Sequence, residues 1–297
     1  MNLESNLLGK SSVIKKLRKE IPLLAKADRI LITGEKGSGK SLIARLIHET
    51  SRSKTRLIPL SPLTSSEQAI KESFEKPAAN CTIVIQEIEG FSFLNQGIIA
   101  RLTKHLEKKQ TIKVIATAKK SINELRKEGI LLDDLFGVLK TFDAIFIPPL
   151  SERAEDIPLL VEHFVKNACE SVGTELKVLD VNALDFLVRR EWKHNVLELK
   201  NVIEKSVLTS ESEAIELPQH LIDEYAQLEG MISNIEEKKA FPFDKALSNL
   251  EKILIEKTMA TVGYNQTKAA KILDISSPNF RYRLRKFKIP SSRKRKD

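Results

Sequence analysis

Apolar and polar positions along the 297-residue chain follow two regimes. Up to about residue 150, short runs of Ile, Leu and Val alternate with stretches of helical period. The runs predict strands at 29–33, 57–60, 82–86, 112–117 and 143–147. Most are continuously apolar rather than alternating, as strands covered by helices on both faces should be. Strand–helix alternation over this length predicts an α/β fold with a mainly parallel sheet, and a ligand loop at the C-terminal end of a strand. Pro148 and Pro149 close this unit. From Ser151 to about Tyr225 the period turns wholly helical, with helices predicted at 157–171, 181–191, 195–210 and 218–228. Ser151 with Glu155 and Asp156, and Asp180 ahead of its apolar run, supply helix-start signals. The expected organisation is an α/β unit at 1–150, an all-α unit at 151–226, an acidic linker at 227–242 and a terminal helical unit at 243–297. No internal repeat is visible.

In the terminal unit Leu247, Leu250, Ile253, Leu254 and Met259 predict an amphipathic first helix. Gly263-Tyr264-Asn265 interrupts it, and Thr267–Leu273 predicts a short second helix. The small Ala269 and Ala270 mark where another helix must approach closely. Asp274 tolerates a left-handed turn, Ser277 is placed to cap a third helix, and Pro278 suits its first turn. On that helix Phe280, Leu284 and Phe287 share one face, while Asn279, Tyr282, Arg285 and Lys286 point away, flanked by Arg281 and Arg283. A basic surface helix of an ordinary bundle would share the stripe. The A-A-x-x-L-x-I-S spacing with clustered arginines instead predicts a helix-turn-helix. Its DNA-facing residues would be Ser277, Asn279, Arg281, Tyr282, Arg283, Arg285 and Lys286, with Lys294–Lys296 contacting phosphate.

Charge sharpens this picture. The chain carries a formal +9, and residues 281–297 alone hold nine Lys/Arg against one acid. Residues 211–237 hold eight Asp/Glu and no Lys or Arg. A nearly neutral body, an acidic connector and a basic end predict double-stranded DNA as a partner. No apolar stretch reaches membrane-spanning length, and the first residues lack a signal-peptide pattern, so a cytoplasmic protein without a membrane partner is expected. Cys81 and Cys169 form no framework, and no cluster of protein ligands for a metal stands out.

The octet Gly34-Glu35-Lys36-Gly37-Ser38-Gly39-Lys40-Ser41 carries the chemistry. It matches G-x-x-x-x-G-K-[ST] at every fixed position, between a predicted strand and a helical pattern at 42–48. Its glycines let the backbone curl so that successive N–H groups face one anion at a helix N-terminus. Lys40 would reach the β- and γ-phosphates of ATP, and the Ser41 hydroxyl would hold Mg²⁺.

Several segments together resemble the NtrC-type enhancer-binding AAA+ regulators that act with sigma-54. LITGEKGSGKS is similar to the family's phosphate loop and TIVIQEI to its Walker B strand. PPLSERAEDIPLLVEHF resembles the junction into the helical subdomain, and NVLELKNVIEKSVL the second-sensor helix. LEKILIEKTMATVGYNQTKAAKILDIS resembles the Fis-type helix-turn-helix. The resemblance implies an AAA+ P-loop core, an all-α lid subdomain and a C-terminal helix-turn-helix, assembled into a homo-oligomer, a dimer or a ring. It also implies that Leu8 and Gly9 touch the adenine; core packing followed by a turn is the competing reading of those two.

The departures from the family matter as much. Only 21 residues, Ser61 to Cys81, separate the second strand from Walker B, and the GAFTGA loop that contacts sigma-54 is not among them. Contact with RNA polymerase would need another surface. Gln86 stands where the family has Asp, next to Glu87, the one candidate catalytic residue. The first-sensor Asn falls on Lys119, the finger arginines on Leu132 and Val138, and the second-sensor Arg on Leu197. Phosphoryl transfer depends on positioned charge, and a finger arginine contributes about 10³–10⁵ in rate. The expected function is therefore a DNA-binding regulator that binds ATP with impaired hydrolysis. The competing readings are an active ATPase remodelling a transcription complex and, more remotely, a helicase loader or replication initiator.

Overall fold

All five predicted strands form, each within one residue of its expected ends. The computed structural model describes residues 3–51, 56–75, 81–106, 112–219, 221, 223, 243–287, 289 and 290. Most of the predicted helix 218–228, the linker 227–242 and Lys294–Lys296 lie outside them. Two compact units result, Met1–Ile222 and Asp223–Asp297.

The first unit begins with α1 (Leu3–Asn6), α2 (Ser12–Leu24), β1 (Arg29–Thr33), α3 (Lys40–Thr50) and β2 (Leu57–Leu60). It continues with α4 (Glu67–Glu75), β3 (Thr82–Ile85), α5 (Phe93–His105) and β4 (Lys113–Ala118). Then come α6 (Ile122–Lys127), α7 (Asp133–Leu139) and β5 (Asp143–Phe146). The strands pair in the order β2-β3-β4-β1-β5, every pairing parallel. The period-2 geometry of a strand sends neighbouring apolar residues to opposite layers. Ile30 and Ile32 face the layer built by Ile14, Leu17 and Ile21 of α2 and by Ile43, Leu46 and Ile47 of α3. Leu31 between them faces the opposite layer, with Ile70 of α4, Ile99 of α5 and Leu135 of α7. Both layers are apolar, which is why the runs read as unbroken. Each buried aliphatic side chain contributes about 1.5–3 kcal/mol. The parallel register brings the C-terminal ends of β1, β3 and β4 to one edge.

The next part, expected to be wholly helical, is mainly so: α8 (Ile157–Val172), the short β6 (Val178–Leu179), α9 (Val181–Arg189), α10 (Asn195–Thr209) and β7 (Ala214–Ile215), with β6 and β7 pairing in parallel as a second small sheet. Asp180 caps α9 as its position predicts, accepting from the Asn182 N–H. The Ser151 start signal does not open α8. Residues Leu150–Asp156 form a 3₁₀ stretch kinked at Arg153, and α8 begins at Ile157. The Asp156 side chain is drawn away from its own helix because three donors outcompete a local cap. It accepts from Lys10 N at 2.6 Å, Ser11 N at 2.8 Å and Ser11 Oγ at 2.7 Å, fully buried. Ser11 in turn caps α2 by accepting from Ile14 N.

The second unit contains α11 (Phe243–Thr261), α12 (Gln266–Ile272) and α13 (Ser277–Lys286). Ile255, Met259, Ala269, Ala270, Phe280 and Leu284 are buried together. Leu254, expected on the apolar face of α11, is half-exposed; Ile255 takes the inward position, because it lies four residues before Met259 and so on the same helical face. The break after α11 uses left-handed backbone at Gly263 and Tyr264, and the turn before α13 uses it at Asp274. Asn265 caps α12, accepting from Lys268 N. Ser277 is not the cap of α13: Ser276, in extended backbone, precedes the helix, and Ser277 is its first residue.

Asp156 anchors the chain ahead of α2 to the start of α8. Replacing it with Ala leaves the Lys10 N–H and the buried Ser11 donors unpaired. A loss of roughly 3 kcal/mol is expected, since hydrogen bonds to charged groups contribute about 1.5–3 kcal/mol each. Urea unfolding of the full chain measures it, and Asp156→Asn should recover part of the loss.

Candidate nucleotide site and DNA-facing helix

The octet leaves β1 at the edge where β4 and β5 also end. Gly34 N donates to the Ala118 carbonyl at the end of β4, and Ile147 N donates to Thr33 O beyond β5. The loop curls through positive φ at Gly34, Gly37 and Gly39. Gly37 is required twice over. Its φ of 76° favours glycine, and a Cβ there would run into the His194 carbonyl and Leu197. Gly39 hands the chain to α3, whose first residue is Lys40.

Lys40 is folded back into the loop. Its Nζ donates to the Gly34 and Glu35 carbonyls, both at 2.7 Å. Burial pushes its ammonium below the ordinary lysine range, opposed by the negative charges of Glu89, Glu87 and Glu35 and reinforced by Lys119. A desolvated ammonium inside a curl of backbone fits a polyphosphate, whose negative charge would restore what burial removes. Glu35, Lys36 and Ser41 are exposed on the loop, and Ser38 is buried.

The helical part grips this loop from outside, through residues that sequence reasoning did not single out. Asn195, buried and in left-handed backbone, donates from Nδ2 to Glu35 Oε2 and Lys36 O, each at 3.0 Å. Its Oδ1 accepts from Leu150 N at 2.6 Å. The buried Arg153 guanidinium donates to Ser38 O at 2.6 Å. Burial lowers the Arg153 pKa, and Asp156 partly offsets that. The Arg-Ala-Glu-Asp run and an Asn opening a predicted helix were the available signals, and neither reveals a partner more than 100 residues away. Leu8 is half-buried and Gly9 buried. A Cβ at Gly9, in positive φ, would meet Asp156 and Ile14, and its carbonyl accepts from Arg18.

At the neighbouring strand ends, Glu87 has left-handed backbone and its N–H donates to Thr117 Oγ1 at 3.0 Å. Lys119 Nζ lies 2.9 Å from Glu87 Oε2 and 4.0 Å from Glu89 Oε1. Gln86 offers only a neutral amide. For a Mg²⁺ ion beside the phosphates, Ser41 provides a hydroxyl, but the carboxylate expected opposite it is absent and its neighbours carry an ammonium. This donor set does not fit the cation. No group of three metal-ligating side chains occurs among the described residues. Of the two positions matching finger arginines, Leu132 is half-buried with its N–H donating to Gln96, and Val138 lies in the core. Leu197 is exposed beside Gly37.

In the second unit, α13 buries Phe280 and Leu284 and exposes Ser277, Asn279, Arg281, Tyr282, Arg285 and Lys286. Arg283 is half-buried. Its Nε and the Lys286 ammonium both meet the carboxylate of Glu251 on α11, Lys286 at 3.5 Å. Of the predicted DNA-facing set, these two are thus already paired, while Asn279, Arg281, Tyr282 and Arg285 present their side chains outward.

The chain matches three family models in succession. They are the sigma-54 interaction domain over residues 8–150, the AAA+ ATPase lid domain over 151–234 and the Fis-family bacterial regulatory protein over 246–287. It is 27% identical to the DNA-binding transcriptional regulator NtrC of Azospirillum brasilense, over 95% of this chain and 69% of that protein. It is 29% identical to the regulatory protein AtoC of Escherichia coli, over 88% and 62%. To a putative NtrX-like response regulator of Rickettsia typhi it is 32% identical, over 69% and 48%. The chain thus spans about half to two thirds of the length of most such relatives. Among solved structures, NtrX from Brucella abortus in complex with ATP aligns with a TM-score of 0.64 at 23% identity, over 95% of this chain and 69% of that one. The Thermotoga maritima RuvB Holliday junction branch migration motor aligns at 0.51 and 12%, over 94% and 88%. At these identities both show the fold alone: a parallel-sheet AAA+ core with a helical lid. No helix among the described residues is long and apolar enough to cross a membrane. With its core, lid and helix-turn-helix matched in order, the chain belongs to the sigma-54 enhancer-binding regulator family.

Proposed function

We propose that this protein is a DNA-binding transcription regulator whose AAA+ core binds ATP and turns it over poorly. The carrying observation is the contrast within one site. The loop that would grip phosphate is complete, whereas the neutral Gln86 precedes Glu87 and aliphatic residues stand at Leu132, Val138 and Leu197. Binding a polyphosphate needs N–H groups and positive charge. Cleaving it needs an oriented water and cations at the developing charge. The crystallised ATP and ADP complexes of NtrX support nucleotide as the ligand. Bound ATP would stabilise the core and its assembly into an oligomer by preferring the folded state. Without a GAFTGA loop, contact with RNA polymerase would run through another surface.

Glu87 favours a second reading, an ATPase that remodels a transcription complex at sigma-54-type promoters, because a general base is still present. Calorimetric titration of ATP should show binding that Lys40→Ala abolishes. Phosphate release should stay below about 10⁻² s⁻¹, given the roughly 10³–10⁵ in rate attached to a finger arginine alone. A Lys40-dependent rate near ~1 s⁻¹ would establish the second reading instead.

For DNA, Arg285→Ala should cost about 1–3 kcal/mol at a selected site and little elsewhere. Removal of Arg293–Lys296 should weaken binding to all sequences and flatten the salt dependence. Glu251→Gln releases Arg283 and Lys286, so non-specific affinity should rise and the log–log salt slope should steepen by about one. Fluorescence anisotropy at several salt concentrations reads all three, and unchanged binding throughout would remove α13 as the reading helix.

A further inference from the structure

Lys119 occupies a position the nucleotide-binding reading does not explain. It follows Ala118, the residue at the end of β4 whose carbonyl accepts from Gly34 at the start of the phosphate loop. The sheet register therefore delivers its side chain to the mouth of that loop. There its Nζ lies 2.9 Å from Glu87 Oε2 and 4.0 Å from Glu89 Oε1, while its own N–H donates to Glu89 Oε1 at 3.0 Å. The second oxygen of Glu89 is buried with no hydrogen-bond partner among the described residues. The groups acting electrostatically on Lys40 are Glu89, Glu87, Lys119 and Glu35. Two ammonium groups and three carboxylates thus share one neighbourhood at the strand ends and the phosphate loop.

A triphosphate tail brings about four negative charges, and a loop of N–H groups with one lysine offsets only part of them. The donor set here does not fit a divalent ion. Gln86 is neutral, and the Lys119 ammonium already lies against Glu87 and, at 4.0 Å, Glu89. The Lys119–Glu87 pair is about 40% exposed on both sides, so it is weakly held and the ammonium can move. Lysine is a compact point charge on a flexible four-carbon stem, suited to a phosphate oxygen within reach of that stem. A charge-assisted contact to phosphate in the partly desolvated loop mouth outweighs a solvated contact to Glu87.

We propose that Lys119 is a resident counter-cation for the terminal phosphates, so that the site takes a nucleoside triphosphate without a divalent metal. The proposal rests on the nucleotide-binding reading above and adds to it the form in which the ligand is bound. Lys119 leaves Glu87 as the phosphate arrives. Glu89 keeps its hydrogen bond from the Lys119 N–H and holds the base of the side chain in place.

The test is calorimetric titration of ATP into the full chain, once with excess Mg²⁺ and once with excess EDTA. The parent protein should bind within about threefold in the two buffers. Lys119→Met should weaken binding in EDTA by about tenfold, or 1.4 kcal/mol, and by much less with Mg²⁺. Lys119→Arg should restore most of the EDTA affinity. Thermal melting checks that each variant is folded. Parent binding that requires Mg²⁺ overturns this proposal and leaves the nucleotide reading standing. An equal effect of Lys119→Met in both buffers also overturns it. Absence of binding in both buffers overturns the nucleotide reading and this proposal together.

Discussion

The carboxamide of Asn195 connects the parts of the first unit that matter for nucleotide. One side chain donates to the phosphate loop twice, at Glu35 and Lys36, and accepts from Leu150 at the junction between sheet and lid. The side chain is buried, so losing one of these bonds would leave a polar group stranded. Asn195 has left-handed backbone, which asparagine adopts more readily than most residues. Arg153 adds a second bond to the loop at Ser38, and Asp156 just beyond it secures the segment ahead of α2. The shape of the loop is therefore a property of core and lid together. It also explains why Gly37 can bear no side chain: the lid occupies the space.

The site at the strand ends divides two demands that a phosphoryl-transfer enzyme meets at once. Holding phosphate calls on the backbone, a helix N-terminus and Lys40, all of which are present. Cleaving it calls on a water-orienting carboxylate and on cations at the transferred group. Here a neutral amide, Gln86, precedes Glu87, and the positions that resemble cation donors are aliphatic. Charge has not left the site. It stands on Lys119, at the end of β4, beside Lys40. Under the proposed function, nucleotide would serve as a ligand whose presence shifts a conformational or assembly equilibrium.

The DNA-facing helix shows a related economy of charge. Its apolar face is completed by two alanines of α12, small enough for the helices to approach closely, and by Ile255 and Met259 of α11. Glu251 holds Arg283 and Lys286 against α11, which fixes the flank of α13 and reserves Asn279, Arg281, Tyr282 and Arg285 for outward contact. Side chains held by a neighbour lose less freedom on binding, whereas free ones must be ordered by the DNA itself.

Much of this was readable along the chain. Continuous apolar runs placed all five strands, the octet located the phosphate loop, and the A-A-x-x-L-x-I-S spacing set the helix-turn-helix. These features depend on neighbours a few residues apart, where the periods of strand and helix translate directly into burial. Errors came where local rules compete: Ser276 rather than Ser277 precedes α13, Leu254 faces out, and Ser151 lies within a 3₁₀ stretch rather than opening α8. The reach of Asn195 to Glu35 spans 160 residues, that of Arg153 to Ser38 spans 115, and Lys119 meets Glu87 across two strands. No period or motif encodes such pairings. The sequence by itself determined the five strands of the main sheet and marked the octet as the loop to hold phosphate. Only the tertiary structure decided which side chains hold that loop and which cation stands beside it, because those bonds exist only once parallel register and lid packing bring distant residues within hydrogen-bonding distance.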